Sequence, residues 1–124
     1  GRDRIPRSAR FRTAWIACLE YGKVQTVEYD PSLADGLTGG IPQTLLDLAK
    51  KRIAGVRAVR EESIAQAIAL LHKEHHQVVE GAGAVGVAAL LEGAVPLEGK
   101  KIGVVISGGN LDHGVLMDIL KPQV

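Results

Sequence analysis

The run Lys100-Lys101-Ile102-Gly103-Val104-Val105-Ile106-Ser107-Gly108-Gly109-Asn110 decides how this chain is read. Ile102 to Ile106 is apolar without polar alternation. That pattern predicts a strand covered on both faces, as in a parallel sheet flanked by helices. Ser107 falls at the carboxyl end of the strand, the side on which open α/β sheets bind ligands. Gly108 and Gly109 remove side chains there, so the backbone can turn tightly or approach a ligand. Asn110 is expected to cap a helix over 111–120, whose apolar residues include Val115, Leu116, Ile119 and Leu120. Local features leave a plain strand-to-helix connection and a ligand-facing loop equally open.

Working outward, the composition agrees with layered α/β structure. The 124 residues suit one domain or a large piece of a bigger one, and 46% are hydrophobic, enough for a core. Aromatics make up only 3%, while Ala, Val, Leu, Ile and Gly abound, which favours α/β layers over an all-β sandwich. A net charge of +1 gives no general reason to expect nucleic acid as a partner. Cys18 is the one cysteine, so an internal disulfide is excluded. No apolar run is long enough to span a membrane and no secretory signal is read at the start, so a cytoplasmic protein is expected.

Residues 1–12 carry Arg2, Arg4, Arg7, Arg10 and Arg12 with little apolar content. They read as a basic arm, disordered or left over from expression, without the aromatic platform that single-stranded nucleic acid needs. Residues 13–124 read as one partial α/β domain, with no linker composition inside it. Phe11, Ala14, Trp15, Cys18 and Leu19 fall on one face of a helix that Ser8 would start and Gly22 would stop. Cys18 on that face reads as a small buried group, since no base is assigned to it. Lys23–Tyr29 reads as a short extended segment before the Asp30-Pro31 turn. Pro42 is placed in the first turn of a helix carrying Leu45, Leu46, Ala49 and Ile53, and Val56–Val59 reads as a short strand.

The clearest helix runs from Glu61 to His75. Ile64, Ala67, Ile68 and Leu71 form its inner face, with Ser63, Gln66 and Lys73 outside. Glu61 and Glu62 at its start and Lys73 near its end suit the helix dipole. His72 and His76 lie four apart, but no third ligand accompanies them, so no metal site is predicted. Gly81, Gly83 and Gly86 have the spacing of a dinucleotide fingerprint. The preceding apolar stretch is only Val78-Val79, and no acid lies about twenty residues on, so that reading is rejected. Ala84 to Leu91 reads as a small-residue helix that can pack closely on its neighbours. Glu80 stands at its mouth, either beside a ligand or satisfying backbone donors.

Three stretches change the reading when taken together. They are Leu33-Ala34-Asp35-Gly36-Leu37-Thr38-Gly39, Val78-Val79-Glu80-Gly81-Ala82-Gly83-Ala84-Val85 and Val104-Val105-Ile106-Ser107-Gly108-Gly109-Asn110-Leu111-Asp112. In this order and spacing the chain, from about Trp15 to Leu120, resembles the carboxyl-terminal half of the catalytic domain of threonine/serine dehydratases and serine racemases. These are pyridoxal-phosphate enzymes of the tryptophan-synthase-β fold type. The resemblance implies a partial three-layer α/β/α domain with a mostly parallel sheet. It implies that Ser107 meets the pyridine nitrogen of the cofactor, with Gly108 and Gly109 beside it. It places Glu80 near the cofactor edge, and Asp35 and Gly36 in a loop bordering the site. A hydroxyl leaves the ring nitrogen neutral, which suits β-elimination from hydroxy amino acids.

Departures from the family pattern limit what the resemblance implies. The family's Schiff-base lysine stands in a Ser-x-Lys-x-Arg-Gly type motif, and none of the seven lysines here does. Gly39-Gly40 is not the family's phosphate-binding glycine run. Its divalent-metal ligands would fall near Ser8, Arg12 and Ala14, residues that cannot form that site. Arg60 replaces the small capping residue usual before the Glu61 helix. These departures leave two expectations. The chain is a dehydratase-like fragment, not catalytic alone, that completes a site with an amino-terminal half, and the pyridoxal phosphate that the resemblance implies is not expected to be bound by this chain alone. Alternatively it is a non-catalytic oligomerising or ligand-binding module. Uncovered apolar faces predict a homodimer or larger assembly in either case.

Overall fold

The computed structural model describes residues 14–26 and 31–122. Among them the chain forms α1 (Ala14–Tyr21), α2 (Gln43–Arg52), α3 (Glu61–His75), α4 (Gly81–Leu91) and α5 (His113–Leu120), with a 3-10 turn at Asp35–Leu37. They belong to two compact units. Of the described residues, one comprises 14–26, 31–32 and 37–58, the other 33–36 and 59–122. No change of composition marks the boundary, which is why the sequence does not show it. The arginine-rich arm, with Ser8 and Phe11, lies outside the described residues.

In the first unit, Ala14 and Cys18 of α1 are buried with Ile41 and Leu46, and Trp15 and Leu19 pack alongside. This is the apolar face expected from the helical spacing. The Cys18 sulfur accepts the N–H of Gln25 at 3.2 Å, so the buried thiol satisfies a backbone donor. The Pro42 carbonyl accepts the N–H groups of Leu45 and Leu46 and starts α2. Leu46 and Ala49 are buried, but Leu45 and Ile53 are exposed. Leu45 is one residue from Leu46 and so lies about 100° round the helix from it. Ile53 has already left the helix as its carboxyl-terminal cap.

The second unit is built around α3. Ile64, Ala67, Ile68 and Leu71 are all buried, the i, i+3, i+4, i+7 stripe expected from sequence. They meet Val79, Ala84 and Ala88 from the α4 side and Leu116 of α5 in one core. His76 ends α3 in the left-handed conformation at φ 54, and its N–H donates to the His72 carbonyl. The histidine cluster is thus a helix end. Asp112, rather than Asn110, caps α5: its Oδ1 accepts the Val115 N–H at 3.1 Å, and the helix begins at His113.

The expected sheet is not formed as paired strands among the described residues. The stretch 100–112 is extended or irregular, and one backbone hydrogen bond, Glu80 N–H to the Gly108 carbonyl at 3.1 Å, joins it to the segment before α4. A strand exists only through a ladder of such bonds, and a single bond does not make one. Burial on both faces is also absent. Val104 is half-buried, whereas Val105 is 86% exposed and Ile102 and Ile106 are 42% and 45% exposed. The segment therefore meets α4 through Val104 and leaves Val105 turned to solvent.

Two further departures share one cause. Ser63, expected on the outer face of α3, is 2% exposed. Arg60 occupies the cap position of α3 and offers no capping oxygen. The missing acceptor comes from Glu92, at the end of α4. Its Oε1 accepts the Arg60 N–H at 2.6 Å and the Arg60 Nε–H at 3.3 Å, and the Ser63 hydroxyl donates to it as well. The Arg60 backbone N–H, then Ser63, then the Arg60 guanidinium hold the Glu92 carboxyl below its usual value of 4.5. A carboxyl lowered in the folded state stabilises it fully above the unfolded value and ceases to do so as pH falls through the folded value. Thermal melts across pH should therefore show wild type gaining on Glu92→Gln as pH rises through the range at and below 4.5, with the difference constant above it.

Candidate functional site

The glycines of α4 explain themselves once the helix is seen against its neighbours. A Cβ on Gly81 would run into the Leu33 carbonyl, and one on Gly83 into the Ser107 carbonyl. A Cβ on Gly86 would come within 2.7 Å of Val104 Cγ1. The spacing that resembles a dinucleotide fingerprint is thus the footprint of two backbone segments lying directly on one helix. This close approach brings Leu33–Gly36, Glu80 and Ser107–Asn110 to one corner of the second unit.

Glu80 is the centre of that corner. Its N–H donates to the Gly108 carbonyl at 3.1 Å. Its side-chain Oε1 accepts the Asn110 N–H across a long 3.4 Å. It does not cap α4, although it occupies the cap position. The carboxylate therefore points at the Ser107–Asn110 turn, and satisfying a backbone donor is part of what it does. Gly108 is required twice over. Its φ is +75°, and a Cβ there would strike the Glu80 carboxylate and its stem. Gly109 has the Val78 carbonyl 3.1 Å from where its Cβ would be. Gly36 lies on the other flank, its absent Cβ position 3.0 Å from Ala82 Cβ and 3.8 Å from Glu80 Oε2.

The five candidate residues, Gly36, Glu80, Ser107, Gly108 and Gly109, are therefore neighbours. Ser107 contributes in two ways: its carbonyl rests on Gly83, while the residue itself is exposed. Two participants carry no sign of their role in the sequence. Asn110, expected to cap a helix, instead donates its N–H to Glu80. Glu61, expected only to favour the start of α3, has its Oε2 2.9 Å from the Leu33 N–H and holds the chain that leads to Gly36. A carboxylate in a first helical turn gives no hint of a partner 28 residues upstream.

Such a corner offers an exposed hydroxyl, bare backbone and one acid. It contains no lysine, and no group of three or more His, Cys, Asp or Glu that could hold a metal occurs among the described residues. The exposed serine and the side-chain-free turn leave one hydroxyl and bare backbone beside an acid. They do not by themselves fit a phosphate or supply an amine.

Residues 6–108 match the family of pyridoxal-phosphate dependent enzymes, and the chain belongs to that family. The L-threonine ammonia-lyase of Thermotoga maritima is 45% identical over 107 residues, covering 86% of this chain and 26% of the relative. The crystal structure of a T.th. threonine deaminase superposes with a TM-score of 0.73 at 31% identity, over 83% of this chain and 38% of that one. Maize serine racemase superposes with a TM-score of 0.74 at 27% identity, over 86% and 35%. This chain thus spans about a quarter to two-fifths of the length of these relatives. The structural likeness is that of a fragment of the same fold, even though the described residues form no sheet.

Helix–turn contact through glycine carries a stability consequence. Gly83→Ala and Gly108→Ala should each cost about 1–3 kcal/mol in denaturant unfolding, because backbone or carboxylate must move. Gly103→Ala, where nothing lies within 4 Å, should stay within about 0.5 kcal/mol of wild type.

Proposed function

We propose that this chain supplies one side of a pyridoxal-phosphate site for β-elimination from hydroxy amino acids such as threonine and serine. The observation that carries the reading is the Ser107-Gly108-Gly109 turn held against Glu80, with Gly36 on the opposite flank. When bound, the cofactor supplies the electron sink that allows proton loss at the α carbon and departure of the β-hydroxyl. Ser107 donates a hydrogen bond to the ring nitrogen and leaves it neutral. Gly108 and Gly109 leave the ring edge room to lie against backbone. Glu80 keeps the turn in place and borders the cofactor edge. Family membership and the threonine- and serine-directed relatives support this substrate class.

The corner holds neither a lysine nor a phosphate-binding loop, so nucleophilic catalysis requires groups from outside it. We take these to come from an amino-terminal half, and the chain alone is then not catalytic. Exposed Ile102, Val105 and Ile106 also need cover, from such a half or from a second copy of this chain.

Titrating the purified chain with pyridoxal phosphate tests the cofactor part. Residual affinity of this one side gives a saturable absorbance change that Ser107→Ala weakens several-fold, without ammonia release from threonine or serine. A change that never saturates overturns cofactor binding, one indifferent to Ser107→Ala overturns the role given to Ser107 in it, and either leaves the oligomerising module as the better reading. Steady ammonia release by the chain alone overturns its catalytic incompleteness. Light scattering on the same sample should give a dimer or larger, and a clean monomer counts against self-association.

A further inference from the structure

We propose that Glu61 is a positioning residue for this site, acting through the loop Leu33–Gly36; the proposal rests on the cofactor-site reading for its function but not for its geometry. Leu33–Gly36 packs with the second unit. Three contacts help to place it there. Glu61 Oε2 accepts the Leu33 N–H at 2.9 Å, the Leu33 carbonyl lies directly on Gly81, and Ala34 is buried in the core beside α3 and α4. The chain then emerges at Gly36, against Ala82 and Glu80.

Of these contacts, the first is the one that fixes rotation. Apolar burial of Ala34 is non-directional. Contact between a carbonyl and a glycine sets distance but forms no bond. A charge-assisted hydrogen bond fixes both distance and direction. Glu61 is well suited to give it. It sits in the first turn of α3, where the helix dipole favours a carboxylate. Glu92 accepts the donors at Arg60 and Ser63, and Glu61 Oε2 accepts the Leu33 N–H. Gly36 therefore faces Glu80 because Glu61 sets where Leu33 begins. A looser loop would let the Glu80 carboxylate shift, and the long bond to Asn110 would weaken first.

Residue-resolved amide exchange and cofactor titration on the whole chain test this. In Glu61→Ala, the Leu33 and Asn110 amides should exchange at least about tenfold faster. Amides in the middle of α3, such as Ile68, should change far less. Pyridoxal phosphate should bind several-fold more weakly. Glu61→Gln keeps an acceptor oxygen without the charge and should restore much of the protection and affinity. A role confined to the dipole of α3 predicts the opposite pattern: loss of protection within α3, little change at Leu33 and Asn110, and no rescue by glutamine. That pattern overturns the proposal, as does unchanged cofactor affinity despite a loosened Leu33. If wild type binds no pyridoxal phosphate, the functional reading fails, and exchange at Leu33 and Asn110 alone decides whether Glu61 positions the corner. Should Glu61→Ala not fold, Glu61→Gln compared with wild type decides the question through the same amides.

Discussion

Backbone lies directly on backbone where the second unit builds its candidate site. The Ser107 carbonyl rests on Gly83 and the Leu33 carbonyl on Gly81, both on α4. Any side chain at either glycine would push one segment away. Because both segments use the same helix as their floor, the distance between Gly36 and Gly108 is set by a surface whose contact points carry little or no side chain and have few conformations to choose from. The Glu80 carboxylate then fills the gap that this floor defines. Rigid placement of this kind is what a small-molecule site requires, since misplacement of about an ångström is costly. Helix propensity argues against glycine in such a helix by about 1 kcal/mol per residue, so the packing must outweigh the local preference.

Parts of this arrangement are legible in the sequence for physical reasons. The inner stripe of α3 can be read because 3.6-residue periodicity reports directly on which residues share a face. The three stretches around Gly36, Glu80 and Ser107 resemble one family together, and the structure makes them neighbours. Other parts are hidden because they depend on partners distant in sequence. Ser63 is polar and so is expected outside, yet it is buried because Glu92 gives its hydroxyl an acceptor. Asn110 has the look of a cap, but Asp112 caps α5 and Asn110 turns to Glu80. The apolar run Ile102–Ile106 reports its taste for burial but not whether anything is present to bury it. Strand pairing is a property of two segments, and composition of one segment does not supply the other.

Exposure of that run also separates fold from function. The turn at Ser107–Asn110 is held by α4 and by Glu80, and needs no sheet to keep its shape. Its upstream lead, by contrast, presents Ile102, Val105 and Ile106 to solvent. The proposed corner thus lies next to apolar residues turned to solvent.

The capping of α3 by Glu92 ties the leading end of that helix to a distant part of the chain. The acceptor stands 32 residues after the Arg60 N–H it satisfies. It belongs to the end of α4. The helix with the clearest signature in the sequence thus relies at its leading end on a residue that its own signature does not contain.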